Sequence, residues 1–323
     1  MTTARSSAAQ DGTGGTAATA MTAMTASTAV ATAPAKVNVQ LVVGGARADG
    51  YHDLANVFLA VDLHDRVSAT EADTMRLTCT GPGAELVPLD ATNLAWRAAE
   101  LLAAHHGRTA AVHLHIDKDI PVAGGMAGGS ADAAAALLAC DALWGTATPR
   151  EELLSLCAEL GSDVPFSLVG GAALGRGRGE VLTGLEVGGT FHWVFALADG
   201  GLSTPSVYRE CDRLRGDRPV PEPDPAPGLA AALRDGDAVA LAAVVSNDLQ
   251  ESALSLRPAL AATLAAGTEA GALAALVSGS GPSCAFLAAD AEAAHRVAAA
   301  LEESGTCRAA RVTTGPVPGA RVH

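Results

Sequence analysis

Along PAKVNVQLVV (Pro34 to Val43) apolar and polar side chains alternate without a break. Ala35, Val37, Val39 and Leu41 fall on one side and Lys36, Asn38 and Gln40 on the other, the period of a strand with one buried and one polar face. A polar turn, RADGYHDL, follows, and further strands are expected near Asn56–Val61, Arg66–Thr70 and Met75–Thr80. The rhythm then lengthens. TNLAWRAAELLAAHHG reads as a helix opened by Thr92 or Asn93 and stopped by Gly107. After the strand AAVHLHI and a glycine loop, a second helix should run from about Ser130 to Trp144, ending at Gly145. A third starts at Pro149 and stops at Gly161, and a glycine-rich hairpin spans roughly Gly170 to Leu185.

The remainder has a different order. FHWVFALAD is a strand, and STPSVYRECDRL a helix capped by Ser203 or Thr204 with Pro205 in its first turn. A proline-rich surface loop, GDRPVPEPDPAPG, leads to helices ending near Ala266. The apolar runs ALAALVS and SCAFLAA, joined by GSGP, then precede a last helix and the strand CRAARVTT. Strand, helix, hairpin, helix, strand is a split βαββαβ module. An α+β protein of two domains is expected, over residues 33–185 and 186–316. Residues 1–32, rich in Ala, Thr, Ser and Gly and without periodicity, read as a disordered extension.

Composition narrows the functional classes. The formal net charge of −14, with no basic stripe, argues against a nucleic-acid partner. No continuous apolar run suits a signal peptide or a membrane span. Six scattered cysteines without a C-x-x-C pair fit a reducing cytoplasm better than a disulfide framework or a zinc site. No obligate protein partner is evident. Aromatics are only 3% of the chain, so small aliphatic side chains must fill the core. Lysine occurs only at Lys36 and Lys118, so each needs a reason.

Four segments carry candidate chemistry. In PVAGGMAGGSADAAAALL, from Pro121, glycines end abruptly in an alanine-rich helix opened by Ser130. A helix N-terminus leaves N–H groups unpaired and carries partial positive charge, and glycine lets an anion approach that backbone. The loop lacks G-K-[ST] and the G-x-G-x-x-G spacing, and a flexible connector with Ser130 as an N-cap accounts for it almost as well. Lys36 could be a solvated side chain and Asp163, in LGSDVPF, an ordinary helix-start residue. A kinase needs both: a carboxylate to take a proton from an attacking hydroxyl, and a lysine to hold it ionised and offset phosphate charge. SGSGPS (Ser278 to Ser283) is a hairpin turn that could also touch ligand. The pairs His113/His115 and His105/His106 lack a third ligand at useful spacing, so no metal is assigned to them.

Taken together these segments resemble the GHMP kinases: PAKVNVQLVV their first motif, PVAGGMAGGSADAAAAL their phosphate-binding motif and SGSGPSCAF their third. RADGYHDL and LGSDVPF are similar to segments of members that act on a cytidine diphosphate sugar alcohol, and the wording PVAGGMAGGSADA, with so little lysine, resembles the actinobacterial type. The resemblance runs from about Ala33 to Thr314. It implies a two-domain GHMP kinase fold, with an N-terminal ribosomal protein S5 domain 2-like domain, a C-terminal ferredoxin-like domain and a site between them. It implies transfer of the γ-phosphoryl of ATP, with Mg²⁺, to the 2-hydroxyl of that sugar alcohol in the non-mevalonate route to isoprenoid precursors. Asp163 and Lys36 then correspond to the catalytic pair. Pro121, Val122, Ala123, Gly124, Gly125, Met126, Ala127, Gly128, Gly129 and Ser130 correspond to the ATP loop, with Ser130 a candidate Mg²⁺ ligand. Asn93 and Lys118 correspond to positions near the adenosine. Tyr51, His52 and Tyr208 correspond to the cytidine site, and Asn38 and Asn247 to polar positions near the acceptor sugar. The third motif reads Ser-Gly-Ser-Gly where many relatives carry Thr, a change that keeps a hydroxyl and a small backbone. The alternatives are a GHMP kinase acting on homoserine, mevalonate or a sugar, or a nucleotide-binding regulator without catalysis. DGYH and Tyr208 argue against the first, and Lys36 with Asp163 against the second.

Overall fold

The computed structural model describes Met1, Thr2 and residues 27–323. Residues 3–26, most of the expected disordered extension, lie outside the described residues. Its last part is ordered instead, because β1 runs from Thr28 to Ala46 and pairs with β2 (His52–Glu71) along almost its whole length. The opening TAVATAP is an alternating strand whose inward residues, Ala31 and Ala33, are alanines, and alanine gives too weak an apolar signal to stand out from its Thr neighbours.

The N-terminal half continues with β3 (Arg76–Thr80), α1 (Leu94–His105), β4 (Val112–Asp117), α2 (Gly128–Trp144), α3 (Arg150–Leu160), α4 (Val164–Val169), β5 (Ala172–Arg176) and β6 (Val181–Leu185). α2 starts two residues before Ser130 and buries a nearly continuous run of alanines, which lets it lie close on the β1–β2 face. The C-terminal half contains β7 (Phe191–Leu197), α5 (Thr204–Arg215), α6 (Leu229–Asp235), α7 (Ala238–Ala242), β8 (Ser246–Asn247), α8 (Gln250–Leu256) and α9 (Leu260–Glu269). It closes with β9 (Ala274–Val277), β10 (Cys284–Ala288), α10 (Ala291–Glu303), β11 (Ala309–Gly315) and β12 (Arg321–Val322).

Two sheets result. The C-terminal sheet is four-stranded and antiparallel in the order β11-β7-β10-β9, the ferredoxin-like arrangement expected from the sequence. The N-terminal sheet follows the order β12-β1-β2-β4-β3, with β5 and β6 branching from β2 and β8 from β1. β8 and β12 come from the C-terminal half, so the chain crosses the expected boundary at 185/186 twice and continues past 316. The cores also merge: Phe191, Trp193 and Phe195 of β7 pack in one cluster with Val37, Leu59 and the α2 alanines.

The polar face of β1 is a second departure. Lys36, Asn38 and Gln40 are 5%, 2% and 4% exposed, so both faces of the strand are covered. Gln40 donates to the Val244 carbonyl and Ser246 Oγ and accepts from the Ala226 N–H, all from the C-terminal half. Among the described residues no helix is long and apolar enough to cross a membrane.

Candidate active site

The glycine loop joins β4 to α2 and is held in an unrelaxed shape. Ala123 and Ala127 both adopt positive φ, 57° and 60°, a costly conformation for a residue with a Cβ. Ala127 is the N-cap of α2 and offers no side-chain cap, which leaves the first N–H groups of the helix available to a ligand. Gly125 explains its own residue type: at φ +69° a Cβ would stand 2.3 Å from the Ser278 carbonyl oxygen. The two small-residue loops of the sequence therefore touch. Ser278 Oγ donates to the Gly125 carbonyl at 3.1 Å, closing SGSGPS over the glycine loop.

Lys36 projects from β1 beneath this junction. Its ammonium donates to Asn38 Oδ1 at 2.5 Å and to the Gly125 carbonyl at 3.1 Å, and faces Asp163 Oδ2 at 3.6 Å. Burial pushes its pKa below the ordinary lysine value, and the negative charge of Asp163 only partly restores it. Asn38 in turn donates to Asn56 Oδ1 at 2.8 Å, so its orientation is fixed from both sides. Asp163 does occupy the N-cap position of α4, yet its side chain makes no capping bond. The carboxylate is turned to Lys36 and remains about a third exposed.

These groups line a cleft of about 750 Å³. Beyond Asn56 its wall is formed by His52 of β2, whose Nε2 lies 2.9 Å from Asp212 Oδ1, and by Tyr208 of α5, whose ring centre is 5.0 Å from the imidazole. Burial raises the Tyr208 phenol well above its usual pKa, so it stays neutral. Tyr51 is exposed at the rim, with the Arg178 guanidinium 5.1 Å from its ring centre.

The cleft thus brings together Lys36, Asn38, Tyr51, His52, Gly125, Ala127, Ser130, Asp163 and Tyr208. Other expected residues stand elsewhere. Asn93 caps α1, accepting from the Ala95 N–H and donating to the Pro88 carbonyl. Lys118 is 3% exposed and bound by Asp65 and Asp132, so its ammonium is not presented to a nucleoside. Asn247 gives its amide to the carbonyls of Val277 and Gly279, both at 2.7 Å, and so shapes the SGSGPS turn without lining the cleft. Met126 is a core side chain whose carbonyl accepts from the Lys36 N–H, while Ala123 and Gly129 are exposed beside the loop. The four histidines set aside above are occupied by Thr78, Thr80, Thr148 and Glu152.

Asn56, Asp212 and Arg178 belong to the cleft and were not anticipated. Asp212 had a usable signal, since it follows Tyr208 by four residues and shares its helix face. Asn56 is a polar break in an apolar strand. Arg178 is one of three charged residues in a glycine hairpin, with nothing local to mark it out from Arg176 and Glu180.

Residues 93–171 match the family described as GHMP kinases N terminal domain, and residues 229–307 match GHMP kinases C terminal. The 4-diphosphocytidyl-2-C-methyl-D-erythritol kinase of Streptomyces avermitilis is 72% identical, covering 90% of this chain and 97% of that protein. The protein of the same name from Mycobacterium tuberculosis is 56% identical, over 90% of this chain and 91% of its own length. A solved 4-(cytidine 5'-diphospho)-2C-methyl-D-erythritol kinase superposes with a TM-score of 0.72 at 33% identity, covering 88% of this chain and 98% of that one. Homoserine kinase from Cytophaga hutchinsonii, at 21% identity and a TM-score of 0.71 over 92% and 97% of the two chains, shares the fold alone. On its sequence, its two-sheet architecture and these relatives, the chain belongs to the GHMP kinase family.

Proposed function

We propose that the chain transfers the γ-phosphoryl group of ATP to the 2-hydroxyl of 4-diphosphocytidyl-2-C-methyl-D-erythritol, a step of the non-mevalonate route to isoprenoid precursors. The observation that carries this reading is one cleft with the Lys36–Asp163 pair beside the glycine loop and an aromatic and imidazole wall beyond. The names of the relatives support the same substrate.

The chain's own groups account for the steps. The uncapped N-terminus of α2 and the loop N–H groups hold the ATP phosphates. Asp163 accepts the proton of the 2-hydroxyl as its oxygen bonds to the γ-phosphorus and the bond to the β,γ-bridging oxygen breaks, releasing ADP. Lys36 keeps Asp163 ionised and offsets charge on the transferring group. Its position is set by Asn38 and the Gly125 carbonyl, so little reorganisation is needed. Tyr208 stacks on the cytosine, and the His52 ring, oriented by Asp212, meets its polar edge. Arg178 and Arg209, which both line the cleft, are the cations available to the acceptor's diphosphate.

Magnesium fits the donor set. Ser130 places a hard hydroxyl oxygen in the cleft at the start of α2, beside the glycine loop. That suits an ion that keeps waters and phosphate oxygens and takes one or two protein ligands. Ser130 would hold it, and its charge would neutralise phosphate oxygens.

A coupled ATP-turnover assay with the diphosphocytidyl substrate, mevalonate and homoserine tests the assignment. Turnover with the first alone is expected. Turnover with mevalonate or homoserine and none with the cytidine compound would reverse it.

A further inference from the structure

Two carboxylates line the cleft, and each faces a different partner. Asp163 faces Lys36, while Asp212 Oδ1 lies 2.9 Å from His52 Nε2. Among the described residues the imidazole is the one side chain that Asp212 pairs with, although Arg209 also lines this cleft. The carboxylate is 44% exposed and the His52 side chain only 6%. His52 is the first residue of β2, paired with Ala46 of β1, so its ring is carried by a strand and enclosed. Tyr208 precedes Asp212 by four residues. One face of α5 therefore supplies both the aromatic ring that packs on His52 and the carboxylate that binds it.

An ionised carboxylate only accepts hydrogen bonds, so this contact requires the proton of a neutral imidazole to sit on Nε2. Nδ1 is then bare and can only accept. It makes no hydrogen bond among the described residues, and the imidazole lines the cleft. The two common pyrimidines have one shape and differ at the 4-position. Cytosine carries an amino group there, a donor, and uracil an oxygen, an acceptor. A bare Nδ1 completes a hydrogen bond with the first. Against the second it leaves two polar atoms unpaired and repels.

We propose that Asp212 is a specificity-determining positioning residue: by holding the His52 proton on Nε2 it makes Nδ1 an acceptor and so selects a cytosine over a uracil nucleotide. Asp212 acts through the imidazole rather than on the base. The inference rests on the reading of this end of the cleft as the cytidine site, and deepens it by naming the group that separates the two pyrimidines.

The test compares kcat/KM for the 4-diphosphocytidyl acceptor with that for its uridine counterpart, in the coupled ATP assay at about pH 8, where an ordinary imidazole is neutral. Wild type should prefer the cytidine compound by about 10²-fold or more. In Asp212→Asn the amide offers Nε2 either an oxygen or an N–H, so the proton is no longer held there, and the preference should fall to about tenfold or less. Asp212→Ala, which removes the partner altogether, should show the same fall. The change should lie in the KM for the cytidine compound, while the KM for ATP moves less than about twofold. The histidine nitrogen resonances of the isotope-labelled chain give a second readout: His52 should be protonated on Nε2 in wild type and mixed between the two nitrogens in Asp212→Asn. A preference unchanged in both variants, equal losses with both pyrimidines, or an Nε2 proton retained in Asp212→Asn overturns the inference and leaves the assigned activity standing. Wild type that turns over neither pyrimidine compound but accepts mevalonate or homoserine overturns the reading of the cleft, and the inference with it.

Discussion

Two lysines flank one glycine loop, and they are the only two in the chain. Both are almost wholly buried, yet their surroundings act in opposite directions. Lys36 has a single carboxylate, at 3.6 Å, and otherwise neutral oxygens, and burial holds its pKa below the ordinary value. Lys118 is also disfavoured by burial, but two carboxyl groups within hydrogen-bonding distance outweigh that and raise it. Burial alone therefore predicts nothing about a lysine's role; the number of acidic partners does. Lys36 keeps electrostatic capacity for an incoming phosphoryl group, whereas the charge of Lys118 is consumed where it lies.

Several substitutions can break this contrast. The largest effect is expected at the partner of Lys36: Asp163→Asn should lower kcat by about 10³-fold or more while changing ATP-analogue affinity by less than about threefold. Turnover within tenfold of wild type, measured by the coupled assay, would remove Asp163 as the base. Lys118→Met leaves carboxyl groups buried without their cation and should cost about 3–5 kcal/mol in denaturant unfolding. Lys36→Met should cost clearly less stability and lose about 10²-fold in kcat instead. Similar stability losses in the two variants would erase the distinction drawn between them.

The pH dependence sharpens it. The folded-state pKa of Lys36 is lowered, so its proton leaves before that of an ordinary lysine, and kcat/KM should fall on an alkaline limb below the usual 10.5. Lys36→Arg, whose guanidinium stays charged, should lose that limb, and an unchanged limb would assign it to another group. Tyr208→Ala should raise the KM for the acceptor about tenfold and leave that for ATP unchanged, as expected for one base stacked on one ring. The smallest effect concerns stability near Lys118. Asp132 is raised from 3.8 to about 8 on folding, so the folded state holds an extra proton in that window and stability falls as pH rises through it. Thermal unfolding of Asp132→Asn across the same window should show a flatter slope than wild type, and an equal slope would mean that Asp132 ionises normally.

Much of the scaffold was legible because its signals are local. The glycine-to-alanine switch placed the start of α2 within two residues, and the βαββαβ order of the second sheet followed from consecutive patterns. Lys36 and Asp163 were recognised separately, as a strand residue and a helix-start residue. What eluded the pattern were contacts between distant segments. The Ala and Thr of TAVATAP become a strand only when β2 and α2 cover them, and Ser246–Asn247 and Arg321–Val322 become strands only against β1. The same holds for Asp212 behind His52, for Arg178 beside Tyr51, and for Asp65 and Asp132 around Lys118.

The chain alone therefore determined the kinds of chemical group present and the elements that carry them, because hydrophobic period, capping and glycine placement act over a few residues. The tertiary structure decided which of two lysines faces a reacting phosphate and which is neutralised. That choice depends on the carboxyl groups within a few ångströms in space, and those lie from 14 to 127 positions away along the chain.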